Sequence, residues 1–251
     1  MVNIALVQSH IEWENKEVNI AKAKKIIEEL KDKNLELILF PEMSFTGFSM
    51  NIKNTAENDE TIDKFMTIAK ENKVAIGFGW VKKQREKAEN HYTIIDSNGE
   101  VLNDYVKMHS FTYGGEDKEF IPGDEISTFY VKNMKCSTFI CYDLRFPELF
   151  RKNNENPHIF IIPANWPEAR REHWITLLRA RAIENQAYVL GINCVGEMGN
   201  LKYSGDSCVV APDGTVVQVL TGEEGVLFIS IKENDYAIRE SFPVLKDKKY
   251  I

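Results

Sequence analysis

Hydrophobic and polar positions along the chain switch repeatedly between two periods. Residues 3–9 carry Ile4 and Leu6 at a spacing of two, the pattern of a strand. Residues 18–30 place Ile20, Ala23, Ile26, Ile27 and Leu30 on one stripe with Lys and Glu opposite, which predicts an amphipathic helix. Residues 35–40 (LELILF) form a short apolar run ending at Pro41, the signature of a buried strand. A polar helix over 59–72 leads to an apolar strand over 74–81. Segments 91–96 and 101–105 flank Ser97-Asn98-Gly99, a hairpin signal. The second half predicts a strand over 137–142, then a helix over 147–153 that opens on a proline, where the missing N–H is no loss. A strand over 159–163, a long helix from about 169 to 185 and a strand over 187–195 follow. Residues 209–217 turn back through Pro212-Asp213-Gly214, and a last strand over 225–231 precedes a charged tail.

No repeat, low-complexity stretch or linker divides the series, so one domain over residues 1–251 is expected. Strands alternate with helices in the first half and again between Cys141 and Val195, while hairpins interrupt the alternation. That predicts a layered α/β fold with more strands than one doubly wound sheet needs, met by two packed sheets with helices outside. A chain of this length buries roughly 70–75% of its unfolded surface and needs no disulfide or metal staple.

Composition narrows the function. Hydrophobic residues are 43% and charged residues 27% of the chain, values of an ordinary globular protein. With 31 Lys+Arg against 38 Asp+Glu the net charge is −7, which argues against nucleic acid or an anionic membrane as partner. No apolar run approaches the roughly 20 residues that span a bilayer. The start, Met1-Val2-Asn3-Ile4-Ala5, has no basic stretch and reads directly as a strand, so no signal peptide is expected and the cytoplasm is the expected compartment. The four cysteines (Cys136, Cys141, Cys194, Cys208) form no CxxC pair and no zinc spacing with histidine, and so read as reduced thiols.

Three residues at predicted strand ends carry possible chemistry. Glu42 follows Leu39-Phe40-Pro41 at the C-terminus of a buried strand, where α/β folds gather ligands and catalysts. Cys141 ends the strand Ser137-Thr138-Phe139-Ile140 and precedes a helix, so its thiol sits at an elbow beside free backbone N–H groups. Lys107 follows the hairpin strand in Tyr105-Val106-Lys107. Taken singly, each has a plain structural reading: a loop carboxylate, an inert buried thiol, a solvated lysine. Together they supply what thiol attack on an amide requires: a nucleophile, a base for its proton and a fixed cation for the tetrahedral oxygen.

These blocks carry a family resemblance. Phe40-Pro41-Glu42 with Thr46-Gly47, then Lys107-Met108-His109, then Cys141-Tyr142-Asp143-Leu144-Arg145-Phe146-Pro147-Glu148 resemble, in order, the Glu, Lys and Cys blocks of the nitrilase superfamily of carbon–nitrogen hydrolases. The likeness runs from Ile4 to about Phe228. It implies a four-layer αββα sandwich that commonly pairs into a homodimer. It also implies a thioester mechanism, with neither metal nor organic cofactor, in which Lys107 and the Tyr142 N–H hold the oxyanion. A second glutamate before a Pro-Gly pair matches Glu116 ahead of Pro122-Gly123, with Glu119 as its rival; its implied role is to orient Lys107 and the substrate amide.

Within the superfamily, Asn165-Trp166-Pro167 through His173-Trp174, the run from Leu178 to Val189, and Tyr203-Ser204-Gly205-Asp206-Ser207 resemble the omega-amidase branch. That branch implies a small-molecule substrate of the 2-oxoglutaramate or 2-oxosuccinamate type. A carboxylate of that kind calls for a guanidinium, for which Arg145 is the candidate, against an ion pair with Glu148 or Glu184. Trp166 is either a pocket wall or a core side chain, and Arg179 and Arg181 read as structural. An N-carbamoyl-amino-acid amidohydrolase or an aliphatic nitrilase would use the same triad. Outside the family, a metal-dependent αββα phosphoesterase would need acids and histidines round a cation, and a Cys–His hydrolase a histidine beside Cys141. Gly47-Phe48-Ser49-Met50 lacks the last glycine of a serine-hydrolase elbow, and Gly77-Phe78-Gly79 the third of a dinucleotide loop. A non-catalytic binding protein would be expected to have lost one of the three triad residues.

Overall fold

Strand β1 (Val2–Gln8) buries both of its faces: Ile4 and Leu6 point into one apolar cluster, Ala5 and Val7 into another. Such a strand must lie between two layers. The computed structural model describes residues 1–153 and 155–249. Its other strands are β2 (Leu37–Leu39), β3 (Ala75–Gln84), β4 (Lys87–Ile95), β5 (Val101–Val106), β6 (Phe129–Val131), β7 (Met134–Thr138), β8 (Ile159–Ala164), β9 (Tyr188–Asn193), β10 (Val195–Met198), β11 (Leu201–Val210), β12 (Val216–Thr221) and β13 (Gly225–Ile231).

One sheet has the order β13-β1-β2-β3-β4-β5, and its β1, β2 and β3 run parallel. The other has the order β10-β11-β9-β8-β7-β6, with β12 pairing β11 and with β7, β8 and β9 parallel. Their inner faces share one core, where Tyr105 of the first sheet meets Phe139 of the second edge-on at 5.7 Å. Helices Lys16–Leu30 and Glu60–Asn72 cover the outer face of the first sheet through Ala23, Ile27, Phe65 and Ile68. Helices Pro147–Lys152 and Arg171–Asn185 cover the second through Phe150, Trp174 and Leu178. The layers are therefore αββα, as expected.

The differences from the sequence pattern lie where polar residues adopt regular structure. β3 and β4 continue past Val81 and before His91 as a ribbon turning at Arg85 (φ 56°), whose Lys83, Arg85 and Glu86 are exposed; an apolar pattern cannot signal strands that project into water. β6 and β10 are edge strands of three and four residues, too short for a period to register. The strand expected over 137–142 stops at Thr138, because Cys141–Arg145 winds into a 3-10 turn. The long helix starts at Arg171, after a 3-10 turn at Glu168–Arg170. The charged tail folds back onto the second layer: Arg239 donates to the carbonyls of Pro157 (2.5 Å) and Gln186 (2.8 Å). Residues 250 and 251 of that tail lie outside the described residues.

Candidate active site

Glu42, Lys107, Cys141 and Asn165 each follow a strand, β2 and β5 in one sheet and β7 and β8 in the other, and they meet at one edge of the sandwich. The chain reaches Glu42 by a close pass: a Cβ on Gly79 would lie 2.3 Å from the Met43 nitrogen, so only glycine fits beside that turn.

Glu42 is fully buried and its carboxylate accepts three hydrogen bonds, leaving acceptor capacity toward Cys141. Its Oε1 accepts from Lys107 Nζ (2.9 Å) and Asn90 Nδ2 (2.9 Å), and its Oε2 from the Asn165 N–H (2.9 Å). Lys107 Nζ also donates to Glu116, at 2.9 Å to Oε2 and 3.1 Å to Oε1. Glu116 is buried and takes a further bond from the Phe111 N–H (2.6 Å), whereas Glu119 is half-exposed; the structure sets Glu116, not Glu119, against Lys107, and Glu116 is not an exposed loop carboxylate. Burial opposes the charge on Lys107, but Glu116 and Glu42 together outweigh it and hold the ammonium firmly protonated. Burial raises the Glu116 carboxyl, Lys107 opposes that, and Glu42 adds to it. The three acceptors around it, Glu42 Oε1 and both Glu116 oxygens, equal an ammonium's three donors, and Lys107 also lines the cavity.

Cys141 occupies the first position of its 3-10 turn with φ 44°, a left-handed conformation that costs a side chain about 1–3 kcal/mol and needs support from its surroundings. Asp143 supplies it. Its Oδ2 accepts from the Ile140 N–H (3.0 Å) and the Tyr105 hydroxyl (2.9 Å), and its Oδ1 from the His109 N–H (2.9 Å). Arg181 holds the far end of the turn through the Leu144 carbonyl (2.7 Å). Tyr142 has its N–H in the first turn, where no intrahelical acceptor exists. Burial and the Glu42 carboxylate push the Cys141 thiol well above its ordinary pKa, against the pull of Lys107, so the resting sulfur carries its proton.

Cys141 and Lys107 open onto a cavity of about 290 Å³ that is walled by Tyr142, Trp166, Phe111 and Tyr203, while Glu42 and Glu116 stand behind them. Trp166 serves both readings at once: it lines the cavity and packs on Trp174 at 5.4 Å between centroids. Arg145 also lines the cavity, with its guanidinium 4.6 Å from the Trp166 ring centre and 3.3 Å from His173 Nδ1. Neither structural pairing considered for it, with Glu148 or with Glu184, forms among the described residues; Glu184 pairs with Arg181 (2.9 Å) and Arg151 (3.8 Å) instead. Among the described residues no carboxylate lines this cavity, and no group of three or more His, Cys, Asp or Glu could hold a metal ion.

Sequence reasoning assigned no role to Asn90, Asn165, Asp143 or Arg170, although Asn165 and Asp143 stand in the blocks that carry the resemblance. Asn90 Nδ2 bridges the two carboxylates (2.9 Å to Glu42, 3.1 Å to Glu116), and Asn165 Nδ2 fixes the Glu42 carbonyl (2.5 Å). Asp143 stood inside the Cys block, and its place just after the elbow was the available signal. Arg170, which lines the cavity, sits at the head of the long helix, where nothing distinguishes it from a surface arginine.

An αββα sandwich with a thiol, an ammonium and two carboxylates at one sheet edge defines a class of amide-bond hydrolases. The comparisons with known proteins place the chain within it: the carbon-nitrogen hydrolase family matches residues 3–238, and the chain belongs to that family. It is 33% identical over 250 residues to the 2-oxoglutaramate amidase of Bacillus subtilis (strain 168), covering 97% of this chain and 96% of that one. It is 32% identical to the omega-amidase YafV of Yersinia enterocolitica, covering 98% and 96% of the two chains. Among solved structures, XC1258 of Xanthomonas campestris, a CN-hydrolase superfamily protein with an arsenic adduct in its active site, superposes with a TM-score of 0.94 at 30% identity, over 100% of this chain and 98% of that one.

Proposed function

We propose that this protein is an omega-amidase, which hydrolyses the terminal amide of small ω-amide acids of the 2-oxoglutaramate and 2-oxosuccinamate type to the acid and ammonia. One observation carries the reading: the Cys141 thiol and the Lys107 ammonium share a cavity with Arg145, a guanidinium without a carboxylate partner among the described residues. A dicarboxylate monoamide has one neutral end to cleave and one charged end to anchor, and this cavity offers a matching group to each. The 2-oxoglutaramate amidase and omega-amidase relatives support the same substrate class over an N-carbamoyl compound, a nitrile or a phosphoester.

In this reading Glu42 takes the thiol proton as sulfur attacks the amide carbon, and the carbonyl oxygen becomes an oxyanion held by Lys107 and the Tyr142 N–H. The C–N bond then breaks as Glu42 returns the proton to nitrogen. Ammonia leaves and a thioester remains on Cys141. Water attacks the thioester with Glu42 again as base; the C–S bond breaks, and the proton goes back to sulfur. Glu116 keeps Lys107 charged and aimed, and Arg145, Tyr142 and Trp166 hold the acyl part.

Ammonia release from 2-oxoglutaramate, 2-oxosuccinamate, glutamine, an N-carbamoyl amino acid and an aliphatic nitrile tests the assignment. The two keto acid amides are expected to lead; a carbamoyl compound or nitrile ahead by about tenfold, roughly 1.4 kcal/mol in transition-state binding, would overturn it. We further propose that the protein works as a cytoplasmic homodimer. Four free, buried thiols suit a reducing compartment, and Val217, Val219 and Phe228 expose apolar surface suited to a second copy. Light scattering checks the pairing.

A further inference from the structure

Besides Arg145, a second guanidinium belongs to the cavity. Arg170 lines it beside Trp166, whose indole N–H donates to the Arg170 carbonyl (2.8 Å) and so fixes where the residue leaves the helix head. Its guanidinium lies 5.4 Å from the Phe111 ring centre, and that of Arg145 lies 5.8 Å from the Tyr142 ring; the two rings are themselves in contact at 5.0 Å. Two arginines are thus laid along one aromatic wall, partly desolvated and without a carboxylate lining the cavity among the described residues. Burial and the neighbouring Arg170 charge both disfavour the charged form of Arg145, which is the mark of two cations near enough to repel. Like charges so placed gain most from one shared anion, since a carboxylate has two oxygens and can accept a guanidinium on each.

We propose that Arg170 is a specificity-determining residue that closes, with Arg145, a two-arginine clamp on the carboxylate at the end of the substrate remote from the amide. The inference rests on the ω-amide reading of the site and deepens it. Such a clamp rejects uncharged amides, because these leave two neighbouring cations without an anion between them.

The test compares the wild-type enzyme with Arg170→Ala and Arg170→Lys on 2-oxoglutaramate and on an uncharged aliphatic amide of similar length. In Arg170→Ala the preference for the charged substrate, as the ratio of kcat/KM values, is expected to fall about tenfold or more, mostly through KM, as for loss of one charged hydrogen bond. Arg170→Lys recovers part of that ratio, since it returns the charge without the fork. Parallel losses on both substrates, or an unchanged ratio, would overturn the clamp. If the wild-type enzyme itself prefers the uncharged amide, the ω-amide reading fails, and the clamp is then judged by glutarate as a competitive inhibitor. Weaker inhibition of Arg170→Ala than of wild type supports the clamp, and equal inhibition overturns it.

Discussion

Cys141 differs from the other three cysteines in its neighbours rather than its depth, since all four are buried. Burial, opposed by a backbone hydrogen bond to Val131, pushes the Cys136 thiol up to about 12, and Asp206 adds to burial at Cys208, which also reaches about 12; neither touches the cavity. Cys141→Ala is expected to abolish ammonia release, while Cys136→Ala and Cys208→Ala keep most of it. Cys194→Ala should lie between, because its thiol donates to Asn165 Oδ1 (3.2 Å) and so steadies the residue that holds Glu42. Lys107→Met should lower kcat by about 10²–10³, the cost of removing one oxyanion donor, with the fold intact by circular dichroism. Glu42, Lys107 and Cys141 were legible because each residue type at a strand end implies chemistry that the other two complete. Asn90 and Asn165 were not, because an asparagine that orients a buried carboxylate has the same sequence context as one that faces water.

The elements hold this geometry through buried polar contacts. Asp143 ties the Cys141 turn to Tyr105 on β5 and to His109 just beyond it. In Asp143→Asn one oxygen becomes a donor against donors, so a stability loss of about 1–3 kcal/mol by urea denaturation and a lower kcat are expected. Between β4 and β5, Asp104 accepts from Thr93 (2.6 Å) and lies 2.9 Å from His91 Nδ1. Burial works against the Asp104 charge, but bonding to His91 and Thr93 and the charges of His91 and Lys82 outweigh it and lower its pKa. A carboxyl depressed in the folded state stabilises above its unfolded pKa of about 4, and that stabilisation is lost as pH falls through the folded value. The stability gap between wild type and Asp104→Asn is therefore expected to be full at neutral pH and to shrink below about pH 4, read from urea midpoints. Elements with two buried faces, such as β1, were plain in the hydrophobic pattern. The polar ribbon of β3 and β4 was not, since a strand pair in water has no apolar period.

On the scale of the molecule, the site exists only because two sheets stack. Glu42 and Asn165 are 123 residues apart and follow strands of different sheets, yet a 2.9 Å bond joins them. The layer order was legible from alternating helices and strands, and the strand ends pointed to the edge that matters; which loop would meet which across the sandwich depends on packing that no local pattern encodes. In the proposed mechanism Lys107 supplies the positive charge next to the reacting carbonyl, so EDTA is expected to leave turnover unchanged; loss of activity restored by a divalent ion would contradict this. In the proposed mechanism the acyl group passes through Cys141 as a thioester. Intact-protein mass spectrometry of enzyme quenched in acid during turnover of 2-oxoglutaramate tests it most directly. An added acyl mass is expected that maps to the Cys141 peptide, is released by hydroxylamine and is absent from Cys141→Ala. Turnover by Cys141→Ala at the wild-type rate, with no adduct on either protein, would contradict it.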